Sequence, residues 1–169
     1  MYKNIQKTIL LVAAALAGTA LAAPTTSSTS GKAIPAPALR ARDGEYYMDI
    51  VSKWRSNLGL PALAEDGTLV GNAQKTVVEG NGQMIHQLNP GTYGQTLAPG
   101  QPDGFEHVFV GGWLCEIPTL PGLNGVCDTE LGQGWYYNGQ TGHAEILTSP
   151  NYSRIGCANA VGIWACDFA

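Results

Sequence analysis

Few side chains in this sequence could do chemistry, and the three histidines stand out: His86, His107 and His143. His86 and His143 each sit at the edge of a predicted element, beside glycine-rich turns. Two imidazoles together with carboxylates can hold zinc and leave one position open, which activates a water or polarises a carbonyl. Two histidines 57 residues apart can equally be hydrogen-bonded structural groups, and spacing does not separate the two roles. Glu116, at the end of a predicted helix, is a candidate partner for either histidine. Glu106 and His107 are expected on a solvated helix face. Nucleophilic catalysis has less support, because no serine stands in a G-x-S-x-G elbow and disulfides are expected to consume the cysteines.

The stretch Gly142–Ala158 organises these candidates. It opens on Gly142-His143, passes a polar turn at Thr148-Ser149-Pro150-Asn151, and closes on Ile155-Gly156-Cys157-Ala158. His143 and Cys157 must therefore belong to different elements packed on one core. Asn151-Tyr152-Ser153 is an N-glycosylation sequon, which suits a surface loop of a secreted protein.

The expected compartment follows from the N-terminus. Lys3 and Lys7 precede an apolar run, Ile9–Ala17, and Ala20-Leu21-Ala22 offers small residues for cleavage before Ala23. Residues 1–22 thus read as a signal peptide. The apolar run falls short of the roughly 20 residues a membrane span needs, so the protein is not expected to span a membrane. Residues 23–42, rich in Ser, Thr, Pro and Ala, read as a linker, and a folded domain is expected over 43–169. Removing the leader leaves 7 of the 9 Lys+Arg against 13 Asp+Glu, a formal charge of −6. Beyond residue 42 only Lys53, Arg55, Lys75 and Arg154 are basic, which argues against a nucleic-acid partner.

In a secreted protein the four cysteines are expected to form disulfides rather than bind zinc, and no two of them have the short spacing of a structural zinc site. Four cysteines allow three pairings. Cys115 with Cys127 and Cys157 with Cys166 would each close a short loop suited to a hairpin or turn.

Apolar residues at three- and four-residue steps (Tyr47, Ile50, Val51, Trp54, Leu58) predict an amphipathic helix over 44–58, ended by Gly59 and Pro61. A second helix is expected after Glu65-Asp66, buried through Leu69, Ala73 and Val77 and stopped by Gly80-Asn81-Gly82. A short extended run covers Thr92–Leu97. A third helix is expected from Pro102 to Glu116, weakened by Gly111-Gly112, followed by a loop-rich stretch over 117–141. Two strands, Arg154–Asn159 and Gly162–Asp167, close the chain around a tight turn. The fold class is α+β, with a small sheet and two disulfides.

The order of these landmarks resembles the CAP superfamily, which groups cysteine-rich secretory proteins, insect antigen 5 and plant pathogenesis-related (SCP-like) proteins. Gly142-His143 followed by Ile155-Gly156-Cys157-Ala158 is similar to its signature. Trp54-Arg55 through Leu60-Pro61-Ala62-Leu63 resembles its first helix and the turn after it. His86 with Tyr93-Gly94-Gln95-Thr96-Leu97-Ala98, and Trp113-x-x-Glu116, match two further segments. The resemblance covers about residues 43–169 and implies an α-β-α sandwich with a central antiparallel sheet. It places His86, Gln95, Glu116 and His143 in a cleft, with His86 and His143 as ligands for a divalent metal such as zinc. Position 95 is Gln where the family has Glu, which removes a charge that would attract the cation. Ala144-Glu145-Ile146 also departs from the family, and Glu145 either returns a carboxylate to the cleft or lies on the surface. The family implies a secreted, non-enzymatic binding module for a sterol, fatty acid or host component, and the Ser/Thr-rich leader fits a fungal member. The alternatives are a zinc-dependent hydrolase using His86, His143 and Glu116, and a structural or antigenic cell-wall protein.

Overall fold

The computed structural model describes residues 46–169. The expectations for the leader, the linker and the start of the domain at residue 43 lie outside the described residues.

Helix α1 (Tyr47–Asn57) buries Tyr47, Ile50, Val51 and Trp54, the stripe expected from the sequence. Asp49 accepts a bond from the Tyr46 N–H at 3.3 Å, one arm of a capping box. Arg55 is also buried, and no carboxylate among the described residues pairs with it. Its Nε donates to the Pro61 carbonyl and its Nη1 to the Leu147 carbonyl, both at 2.6 Å. Desolvation lowers its pKa. These two bonds tie the end of α1 to the turn after it and to a distant helix end.

Strand β1 (Ala64–Glu65) was not evident in the sequence. Glu65 accepts bonds from the Tyr46 hydroxyl and, at 2.5 Å, from the Tyr47 hydroxyl. Asp66 then caps helix α2 (Gly67–Gly80), its Oδ1 accepting from the Thr68 and Leu69 N–H groups at 2.8 and 3.2 Å. Asn81 ends α2 in the left-handed region, as the Gly-Asn-Gly cluster suggested.

Strands β2 (Gly94–Pro99), β3 (Arg154–Ala160) and β4 (Ile163–Phe168) join β1 in one sheet of order β1-β3-β4-β2. β1 runs parallel to β3 and the other pairs are antiparallel, so the sheet is mixed rather than wholly antiparallel. Val161 and Gly162, both at positive φ, make the tight turn between β3 and β4. Cys157 and Cys166 face each other in register and are bonded.

The two faces of the sheet bury different things. Ala158, Ala160, Ile163, Ala165 and Leu97 pack with Ala73 and Val77 of α2, a layer of small residues. Gly156 permits the close approach, since a Cβ there would stand 2.1 Å from the Val70 nitrogen. This is a physical reason for glycine in the Ile-Gly-Cys-Ala segment. Ile155, Cys157, Trp164, Cys166 and Phe168 join the second, aromatic core with α1 and the helical segment after β2. Phe105 stacks against Trp164 there at 4.5 Å between centroids. Burying each such ring contributes about 1.5–3 kcal/mol.

That helical segment differs from the expectation of a helix from Pro102. It is helical only from Phe105, and His107–Trp113 forms a π-helix, followed by a 3₁₀ turn at Leu114–Glu116. Residues 117–141 also hold more than loop: α3 (Val126–Leu131) carries Cys127, which is bonded to Cys115. Both disulfides are thus the short-loop pairs.

Candidate functional site

Helix α4 (Gly142–Thr148) has only seven residues, and the side chain of its own N-cap, Thr141, accepts from none of its backbone N–H groups. The cap comes from far away in sequence. Glu116 Oε2 accepts from the His143 N–H at 2.8 Å and the Ala144 N–H at 3.2 Å. Its other oxygen, Oε1, lies 2.6 Å from His143 Nδ1. A buried carboxylate at a helix N-terminus satisfies orphan donors and complements the helix dipole. Of the two partners considered for Glu116, the structure pairs it with His143. Because a carboxylate only accepts, Nδ1 of His143 carries a proton, which leaves Nε2 as the nitrogen that can be bare. Trp113 backs the imidazole at 6.3 Å between centroids.

His86 is held differently. It lies in the loop between α2 and β2, with Nδ1 3.0 Å from Gln95 Oε1. Gln95 is buried, and its amide orientation follows from its neighbours. Nε2 lies near three acceptors: Asp167 Oδ1 at 2.8 Å, the Gln87 carbonyl at 3.0 Å and Thr76 Oγ1 at 3.1 Å. Oε1 accepts from the Gln87 N–H at 3.0 Å. The amide oxygen therefore faces His86, and this ring too carries its proton on Nδ1. Asp167 is fully buried on β4 and also accepts from the Thr92 hydroxyl at 2.8 Å. Burial pushes its carboxyl up to about 6, while the bonds from Gln95 and Thr92 pull the other way.

His86, Gln95 and His143 line one cavity of about 290 Å³, together with Gln140, Thr141 and Ile146. A second cleft of about 490 Å³ adjoins it through Gln140 and Thr141, and Glu116, Leu131, Tyr136 and Tyr137 border it. The four cleft positions His86, Gln95, Glu116 and His143 are therefore brought together. Glu145 is not among them: it is exposed and accepts a bond from the Thr141 hydroxyl at 2.7 Å. His107 and Glu106 do not lie on a freely solvated face. His107 Nδ1 is 2.5 Å from Glu130, and Glu106 accepts from Trp54 Nε1 and Lys53, both at 2.7 Å. Glu106 thus reaches α1 and His107 reaches α3. Asn151 is exposed in the turn before β3.

The site also uses residues that sequence reasoning missed: Thr76, Gln87, Thr92 and Asp167. Asp167 carried a usable signal, a single carboxylate in the otherwise apolar strand Ile163–Phe168. Nothing in the spacing pointed to the other three.

The donor set does not complete a catalytic zinc site, which takes three protein ligands and an open position. Two bare imidazole nitrogens are offered. Both oxygens of Glu116 are committed to α4 and His143, and Gln95 is held by five neighbouring groups. Among the described residues, no group of three His, Cys, Asp or Glu side chains is placed to hold a metal ion.

The sequence matches no protein-family model, and no curated protein matches it. Among the described residues, no helix is long and apolar enough to cross a membrane. Two formed disulfides suit an oxidising compartment.

Proposed function

We propose that this chain is a secreted CAP-superfamily protein with that family's α-β-α sandwich, and that it is a non-enzymatic binding module for a sterol or fatty acid. The order of the sequence landmarks supports the family reading, as does the meeting of His86, Gln95 and His143 on one cavity with Glu116 bonded to His143 behind it. One observation carries the ligand class. Met84, Ile85 and Leu88 flank His86 on the loop between α2 and β2, and they are 56%, 49% and 63% exposed. From Gly80 to Pro102 the chain has no Asp, Glu, Lys or Arg. Large apolar side chains gathered on an uncharged loop beside a cavity mark a surface that an apolar ligand would cover. Each Å² so removed from water contributes about 25 cal/mol.

The hydrolase reading has less behind it. Glu116 would have to act as a base while capping α4 and orienting His143, and the zinc site it requires lacks a ligand.

The reading is tested by equilibrium binding of radiolabelled sterol and of radiolabelled long-chain fatty acid to the purified protein. Saturable binding of at least one is expected. Saturable binding of neither contradicts the proposal.

A further inference from the structure

Tyr136 is 85% exposed, the most exposed large hydrophobic side chain among the described residues. Both of its chain neighbours are anchored nonetheless. Trp135 lies flat on the glycine pair of the π-helix: a Cβ at Gly111 would stand 2.5 Å from Trp135 Nε1, and one at Gly112 would stand 3.0 Å from its ring. On the other side, the Tyr137 hydroxyl donates to the Gly111 carbonyl. With residues 135 and 137 both pinned inward, the ring between them is turned outward. Asn138 and Gly139 then form a tight turn at φ 51° and 77°, closed by the Gln140 N–H donating to the Tyr137 carbonyl at 2.9 Å. The turn folds Gln140 back beside Tyr137, at the mouth of the 490 Å³ cleft.

We infer that Tyr136, with Asn138, Gln140 and Thr141 around that cleft, is a binding site for a neutral saccharide. A pyranose ring has an apolar C–H face and a rim of hydroxyls that both donate and accept. A tyrosine ring covers the first, and side-chain amides, each with a donor and an acceptor, match the second. The lining excludes charged ligands. No Lys or Arg borders the cleft to hold an anion, and its one carboxylate, Glu116, already serves α4 and His143. The volume lies within the range of about 300–1,000 Å³ usual for small-ligand sites. With the backbone anchored on both sides of it, Tyr136 has only its two side-chain torsions to order on binding, which favours affinity. This site is separate from the Met84–Leu88 loop and does not rest on the lipid reading.

The test is calorimetric titration of the full-length protein with three probes: cellotetraose, laminaritetraose and N-acetylchitotetraose. At least one is expected to bind. Tyr136→Ala should weaken that binding by about tenfold or more, because an exposed aromatic anchor is removed. Tyr136→Phe, which keeps the ring, should stay within about threefold of the wild type. Saturation-transfer NMR on the wild-type protein should show the bound sugar's C–H face receiving magnetisation from aromatic protons, an observation that needs no variant. Absence of binding by all three probes, or wild-type affinity in a folded Tyr136→Ala protein, would overturn the assignment.

Discussion

The two histidines of the cleft are held by the same atom and for opposite electrostatic reasons. His143 leans on a carboxylate that also caps a helix, so one negative charge serves three N–H donors. His86 leans on an amide, and the negative charge sits one residue deeper, on Asp167. The pairs also belong to different sides of the sheet. Gln95 and Asp167 lie with Thr76 on the α2 side, whereas Glu116 and His143 extend the aromatic core. Gln95 is therefore more than a carboxylate that has lost its charge. It is the residue that can accept from His86 with one end and donate to Asp167 with the other. A glutamate could do only the first.

The comparison breaks most severely at Glu116. Glu116→Ala leaves the first turn of α4 and the His143 ring without their shared acceptor, and a stability loss of about 3–5 kcal/mol is expected by urea denaturation. A loss under about 1 kcal/mol would mean that water replaces the carboxylate.

Asp167 sharpens the contrast through pH. Its value of about 6 in the folded protein lies above its ordinary 3.8, so the folded state binds this proton more tightly than the unfolded chain. The resulting stabilisation is fully present below about pH 3.8 and is lost as pH rises through about 6, up to about 3 kcal/mol at 1.36 kcal/mol per unit. Asp167→Asn keeps an acceptor for Gln95 and removes the titration. Denaturation midpoints at pH 4 and pH 7 should show the wild type losing stability that the variant retains. Equal slopes in both proteins would contradict this assignment.

The smallest expected effect belongs to Gln95→Glu. It sets a second carboxylate against Asp167 and should cost about 2 kcal/mol at pH 7, most of it recovered when combined with Asp167→Asn. A double-mutant cycle reads the coupling, and additive costs would show that Asp167 is not what selects glutamine there.

Legibility in the sequence followed how local each element's cause was. α1 and α2 were readable because their apolar stripes and stop residues lie within one window, and β3–β4 because a short turn joins two apolar runs. α4 was not, since its cap is Glu116, 27 residues away. α3 is six residues long and held by a disulfide, too short to show a period. The π-helix hides inside an ordinary helical pattern, and its Gly111-Gly112 pair makes sense only once Trp135 is seen lying on it. The four cleft positions came from a resemblance in landmark order, while the support beneath Gln95 comes from residues up to 72 positions on.

Central here is the proposal that the uncharged loop beside His86 takes an apolar ligand. Its most direct test is the equilibrium binding of radiolabelled sterol and fatty acid to wild type and to a Met84→Ser/Ile85→Ser/Leu88→Ser variant. All three side chains are exposed, so the variant is expected to fold. Saturable binding of one ligand to the wild type is expected, with affinity lower by about tenfold or more in the variant. Equal affinity in the two proteins would contradict it and move the ligand away from this loop.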